Sequence, residues 1–224
     1  MYLYNEVLNN KKYLELTKEI ENIKFITDGK WNWEHVLGHF KRVADYVKNI
    51  LSQLNTDNRT IDLGMTAALL HDVGLSKGDK VDHALESSKM FTLFLDESHI
   101  TQAEEDLLRQ AILDHSKGNN IKSLVGLALV LADKLDITYH RTENSSIKDH
   151  MNNEVQKIRK IDITITDNDL IVNYITNDDL DINIFKEWPK PITIPSKASK
   201  YLNRNYKFLI NEKQVDVSDF INNL

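Results

Sequence analysis

The stretch Ala67-Ala68-Leu69-Leu70-His71-Asp72-Val73-Gly74 constrains the fold of this chain more than any other. Four consecutive apolar residues carry a helix into an interior and deliver a histidine and an aspartate at its end, where an uncompensated polar pair is costly to bury. Neighbouring side chains on a helix diverge by about 100°. His71 and Asp72 therefore cannot share one distant partner, yet both can hold a metal ion seated over the helix end. Gly74 is expected to let the chain turn away there. A fold that places such a pair inside must draw further ligands from elsewhere in the sequence.

The chain has no cysteine, so any metal is held by imidazole nitrogen and carboxylate oxygen, and eight histidines are available. At 224 residues and 41 % hydrophobic it can bury the core of one domain with an appendage. A net charge of −6 argues against a long nucleic acid as partner, while leaving room for a small nucleotide gripped by local Lys and Arg. No run approaches the roughly 18 apolar residues of a membrane span. The polar N-terminus, Met1-Tyr2-Leu3-Tyr4-Asn5-Glu6, lacks the order of a signal peptide. A cytoplasmic protein with no membrane segment is expected, its oligomeric state left open.

Residues 5–26 mix apolar and charged positions at helical spacing and read as one leading helix, with a break at Asp28-Gly29. Residues 33–54 form the clearest amphipathic helix: Val36, Phe40, Val43, Val47, Ile50, Leu51 and Leu54 share a stripe, with His39 on its edge and Arg42 three residues on. His35 competes with His39 for any ligand role. The helix ending at His71-Asp72 is expected to be capped by Thr60 or Asp62. After the polar loop 76–80, a helix from Asp82 to about Leu95 carries His83 in its first turn. Thr101-Gln102-Ala103-Glu104 has the form of a capping box and opens a helix that ends at His115 on the core side, with Gly118 as terminator.

Residues 123–135 are nearly all apolar and mark a helix buried on most sides, with Asp133 directly after the run that ends at Ala132, within Leu131-Ala132-Asp133-Lys134-Leu135-Asp136. A carboxylate there needs a cation, and Asp136 reads as a supporting or capping residue. Beyond Arg141 a polar helix over 145–160 is expected. Alternating β-branched segments follow at 161–165 and 170–174, with two shorter ones at 182–185 and 192–194. A last hairpin spans 206–210 and 214–217. These features place a helical domain over residues 1–160 and a small β-rich appendage over 161–224.

His39, His71-Asp72, His83, His115 and Asp133 follow one another in the order histidine, histidine-aspartate, histidine, histidine, aspartate. With Gly38-His39-Phe40-Lys41-Arg42-Val43 and Asp114-His115-Ser116, this order resembles the HD-domain metal-dependent phosphohydrolase superfamily, an all-helical fold, over roughly residues 32–142. The two extra histidines resemble the subset that holds two metals, as in symmetrical dinucleoside-tetraphosphate hydrolases and cyclic-dinucleotide phosphodiesterases. Two features depart from the pattern. Leu75-Ser76 separate the His-Asp-x-Gly motif from Lys77, and the Gly-Tyr-Pro signature of the cyclic-di-GMP branch is missing.

The resemblance implies a mainly α fold, an HD-domain helical bundle with a small β-rich C-terminal appendage. It implies that His39, His71, Asp72 and Asp133 bind one metal, with Asp72 bridging to a second held by His83 and His115. Such a pair of divalent ions, Fe or Mn favoured over Zn, Ni or Mg by the donor set, activates water against a small nucleotide-like phosphate ester or anhydride. Asp72, Arg42 and Lys77 are the expected catalytic residues. Arg42, Lys77, Lys134 and Arg141 are the candidates for gripping phosphate. The alternatives are a di-iron oxygenase of the same fold and a nucleotide-sensing domain without turnover.

Overall fold

The computed structural model describes residues 1–23, 37–78, 81–118, 120–142 and 149–222. Several expectations lie outside the described residues: the Asp28-Gly29 break, His35, the start of the second helix at 33–36, the end of the polar loop at 79–80, and positions 145–148. The described residues form two compact units. The first runs through Asp133 and the second begins at Lys134.

Helices dominate the first unit: α1 (Tyr2–Asn9), α2 (Lys11–Asn22), α3 (Leu37–Gln53), α4 (Asn58–Leu70), α5 (His83–Met90), α6 (Gln102–Asp114) and most of α7 (Leu124–Leu135). The leading helix is in fact two. Asn10 ends α1 in an extended conformation, and its side chain accepts from Lys12 N and Tyr13 N to start α2, the competition with helix continuation that makes Asn a capping residue. Helix α4 is capped by Asp57, which accepts from Arg59 N and Thr60 N, rather than by Thr60 or Asp62. Asp62 points elsewhere, and its carboxylate accepts from the amides of Tyr2, Leu3 and Tyr4 at the start of α1. The expected capping box of α6 is formed by Thr101 and Glu104.

The amphipathic stripe of α3 lies against α4. At Gly64 the two helices meet closely enough that a Cβ would fall 2.6 Å from Leu51 Cδ1 and 2.8 Å from Val47 Cγ1. Val47, Leu51 and the run Ala67–Leu70 are fully buried. Helix α7 is the most apolar element, and Leu127 to Ala132 are all excluded from water. The helix expected from Asp82 to Leu95 is α5 followed by a 3-10 turn, Phe91–Phe94.

The second unit is organised on a four-stranded sheet of order β1 (Ile158–Ile165), β2 (Asp169–Thr176), β3 (Asn205–Ile210) and β4 (Lys213–Gln214). The β1–β2 and β3–β4 pairs are antiparallel, and β2–β3 is parallel. A parallel pair needs a long crossover, usually helical. That requirement overrides the strand reading of 182–185 and 192–194, which fall in and beside α9 (Ile184–Glu187) and inside α10 (Lys190–Tyr201). Pro189 and Pro191 sit at the start of α10, where a missing N–H costs nothing. Helix α10 packs on β2 and β3. Tyr174, Phe185 and Phe208 form an aromatic cluster with ring centroids 5.0–6.0 Å apart.

The polar helix expected over 145–160 is described only as α8 (His150–Val155), and strand begins by Ile158. The final hairpin is shorter than expected, because β4 ends at Gln214 and the last helix, α11 (Ser218–Asn222), follows. The boundary expected at residue 160 falls inside β1, which begins at Ile158. Packing divides the chain earlier, because α8 belongs with the sheet unit: it packs on α9, and Glu154 accepts from Asp181 N. Among the described residues no helix is long and apolar enough to cross a membrane.

Candidate metal centre

His71 occupies the position after α4 and keeps a right-handed conformation, φ −63°. Its Nδ1 lies 2.7 Å from the Ala68 carbonyl. His115 repeats the arrangement after α6, with φ −60° and Nδ1 2.6 Å from the Ile112 carbonyl. Carbonyls at a helix C-terminus lack intrahelical donors, and a carbonyl can only accept. In both rings the proton therefore sits on Nδ1, and in the neutral ring Nε2 is left as a lone pair facing forward.

Those lone pairs converge on carboxylates. His71 Nε2 lies 3.5 Å from Asp72 Oδ2 and 3.6 Å from Asp133 Oδ1, and His39 Nε2 lies 3.5 Å from the same Asp133 oxygen. On the other side of Asp72, Oδ1 lies 3.3 Å from His83 Nε2 and 3.2 Å from His115 Nε2, and these two nitrogens are 3.2 Å apart. His39, His71, Asp72, His115 and Asp133 are buried; His83 alone is partly exposed, at 14 % of its side chain. Phe40 closes the wall beside His71, ring centroids 5.5 Å apart.

Burial pulls the His71 pKa down, but the Asp72 and Asp133 carboxylates together outweigh it and leave the ring above its ordinary value. For His115 burial wins, against the hydrogen bond to Asp72, and the pKa falls to about 4. This ring is neutral at pH 7 and its Nε2 is free to donate a lone pair. Two buried carboxylates beside the neutral His115 ring carry negative charge that a low-dielectric interior does not tolerate uncompensated.

A metal fits this donor set on three counts. His71 Nε2 is buried without a hydrogen-bond partner. Donors bonded to one ion at about 2.0–2.2 Å and spread at tetrahedral or octahedral angles lie roughly 3–3.5 Å from one another, which matches the separations above. The donors also fall into overlapping groups that one ion can bind together: His39, His71 and Asp72; His71, His115 and Asp133; and Asp72, His83 and His115.

All six residues expected as ligands are thus brought together. The expected cationic residues are placed less uniformly. Arg42 is half-buried on α3, three residues after His39, and Lys77 is exposed at the end of the 3-10 turn Val73–Lys77. Lys134 and Arg141 belong to the second unit. Arg141 is buried and paired with Asp136 at 3.4 Å, so Asp136 serves that arginine. Gly74 does not turn the chain as expected. That role falls to Gly78, at φ +78°, while Gly74 is packed against α5. Sequence reasoning missed Ser87, which accepts from the Gly74 amide at 2.8 Å, and no pattern in the sequence singles it out.

A helical unit with histidine and aspartate donors clustered at its helix ends has the make-up of a metal centre. The HD-domain family model matches residues 36–168, more than half of the chain, and the chain belongs to the HD-domain family. The match extends past the helical part to take in β1. A search of curated proteins found no match.

Proposed function

We propose that this protein is a metal-dependent phosphohydrolase acting on a small nucleotide-like phosphate ester or anhydride. The observation that carries the reading is the division of Asp72: one carboxylate oxygen faces His71, and the other faces His83 and His115. In this reading His39, His71, Asp72 and Asp133 hold one divalent ion, and Asp72, His83 and His115 hold a second. The donor set of imidazole and carboxylate suits Fe or Mn, then Zn or Ni. Two such ions lower the pKa of water and draw charge from phosphoryl oxygens in an in-line displacement.

The protein's own residues supply positioning. The Ala68 and Ile112 carbonyls hold the His71 and His115 rings with Nε2 forward, the kind of outer hydrogen bond that fixes a ligand's tautomer and orientation. Phe40 and the apolar turn Ala67–Leu70 keep water from the rear of the site. Arg42 and Lys77 grip phosphate oxygens. The partly exposed edge at His83 is the side from which substrate approaches.

The test is phosphate release from a panel of nucleotide monoesters, diesters and anhydrides by protein reloaded with Mn²⁺, run with and without oxygen, beside His71→Ala. Metal-dependent release that is indifferent to oxygen and lost in His71→Ala supports the reading. Turnover that requires oxygen assigns the site to oxygenation, and nucleotide binding without release assigns it to sensing.

A further inference from the structure

Gly74 has a packing role that reaches the site. A Cβ at this position would fall 2.2 Å from the His83 carbonyl oxygen and 2.5 Å from the Ser87 amide nitrogen. Both are backbone atoms and cannot swing aside, so the turn Val73–Lys77 and the first turns of α5 are in contact through the missing side chain. The Gly74 N–H then donates to Ser87 Oγ at 2.8 Å, inside a region where Ser87 is fully buried.

This contact ties the turn that follows Asp72 to the helix that carries His83. Asp72 lies two residues before Gly74, and His83 lies one helical turn before Ser87 on the same face of α5. The reach of His83 to Asp72, 3.3 Å from Nε2 to Oδ1, spans from the first turn of α5 to the residue just before the turn Val73–Lys77, so it depends on how these two elements seat against each other. The start of α5 has no side-chain cap to fix it, because the Asp82 side chain makes no capping bond. His83 is also the most exposed of the six donors, so the group it helps form is the one facing solvent.

Resting on the two-metal reading above, we infer that Ser87 is a positioning residue which, through the Gly74 amide, seats His83 on Asp72 and so sets how tightly the solvent-facing metal ion is held. Three of the four donors to the buried ion, His39, His71 and Asp133, lie outside this contact, so its affinity depends far less on Ser87. Removing the hydroxyl leaves a buried amide without its acceptor and loosens the seat of α5 while touching no ligand.

The experiment is Mn²⁺ titration of the metal-stripped protein followed by electron paramagnetic resonance, with far-ultraviolet circular dichroism confirming the fold. It compares wild type with Ser87→Ala, Ser87→Thr and Gly74→Ala. Wild type is expected to take up two ions with a spin-coupled signal. Ser87→Ala is expected to keep the first affinity, to weaken the second by about tenfold or more, as loss of an outer-shell hydrogen bond does, and to lose the coupled signal. Ser87→Thr, which retains a hydroxyl, restores part of the second affinity, and Gly74→Ala reproduces the loss. Two ions bound by Ser87→Ala at wild-type affinity, or both sites weakened equally, overturns the inference alone. Fewer than two ions in wild type overturns the two-metal reading and the inference with it.

Discussion

A histidine placed one residue past a helix end can bond its own helix through Nδ1 and still offer Nε2 forward, and this chain does so at both His71 and His115. His71 and Asp133 were legible in the sequence because each is a polar residue at the end of an apolar run, a place where burial demands a partner, and His115 because its spacing from Leu108, Ala111 and Ile112 puts it on the core face of its helix. His39 and His83 were legible only through the order of ligands, since either could by itself be a half-exposed surface residue. Ser87 was not legible, because a buried serine makes no mark on a hydrophobic pattern. Arg42 is the residue whose role separates substrate binding from metal binding. Arg42→Ala is expected to raise KM for a phosphorylated substrate roughly 10- to 100-fold, the loss of a charge-assisted hydrogen bond, with metal content unchanged. Elemental analysis beside steady-state kinetics checks this, and loss of metal in the variant would place Arg42 in the structure of the site instead.

At the scale of elements, local signals were reliable where the partner is local. The Thr101–Glu104 box forms as its spacing requires. Asp62 shows the opposite case, because the amides it serves belong to Tyr2, Leu3 and Tyr4, some sixty residues earlier, and no local pattern reports such a pairing. Asp62→Ala should remove an acceptor from three amides at once and destabilise the fold by about 1–3 kcal/mol. Denaturant unfolding reads that loss, and an unchanged midpoint contradicts it.

Arg59 of α4 grips Glu104 of α6 with two nitrogens, at 2.6 and 3.0 Å. Its hydrogen bond is the main cause holding the Glu104 pKa down at about 2, below its ordinary 4.5. A depressed folded pKa contributes stability that is complete above the ordinary value and drains away as pH falls toward the folded one. Glu104→Gln is therefore expected to lower Tm at pH 7, with the gap to wild type narrowing as pH falls below about 4.5. Thermal unfolding between pH 7 and 3 tests this, and a constant gap counts against it. The misreading of 182–185 and 192–194 has an element-scale cause too: β-branched residues suit either a strand or the buried face of a crossover helix, and only the parallel β2–β3 pairing decides.

For the whole molecule, all six candidate ligands lie in the first unit, carried by helices whose apolar faces bury the core independently of any ion. Fold and metal loading should therefore be separable. The central claim is that Asp72 bridges two ions and so governs both the metals and the chemistry. The direct measurement is the metal content and phosphohydrolase turnover of Asp72→Ala beside wild type, with circular dichroism as the control for fold. The account predicts two ions per chain and metal-dependent turnover in wild type, and a helical Asp72→Ala that has lost both. An Asp72→Ala protein that keeps its ions and hydrolyses phosphate esters at a near-normal rate would contradict it.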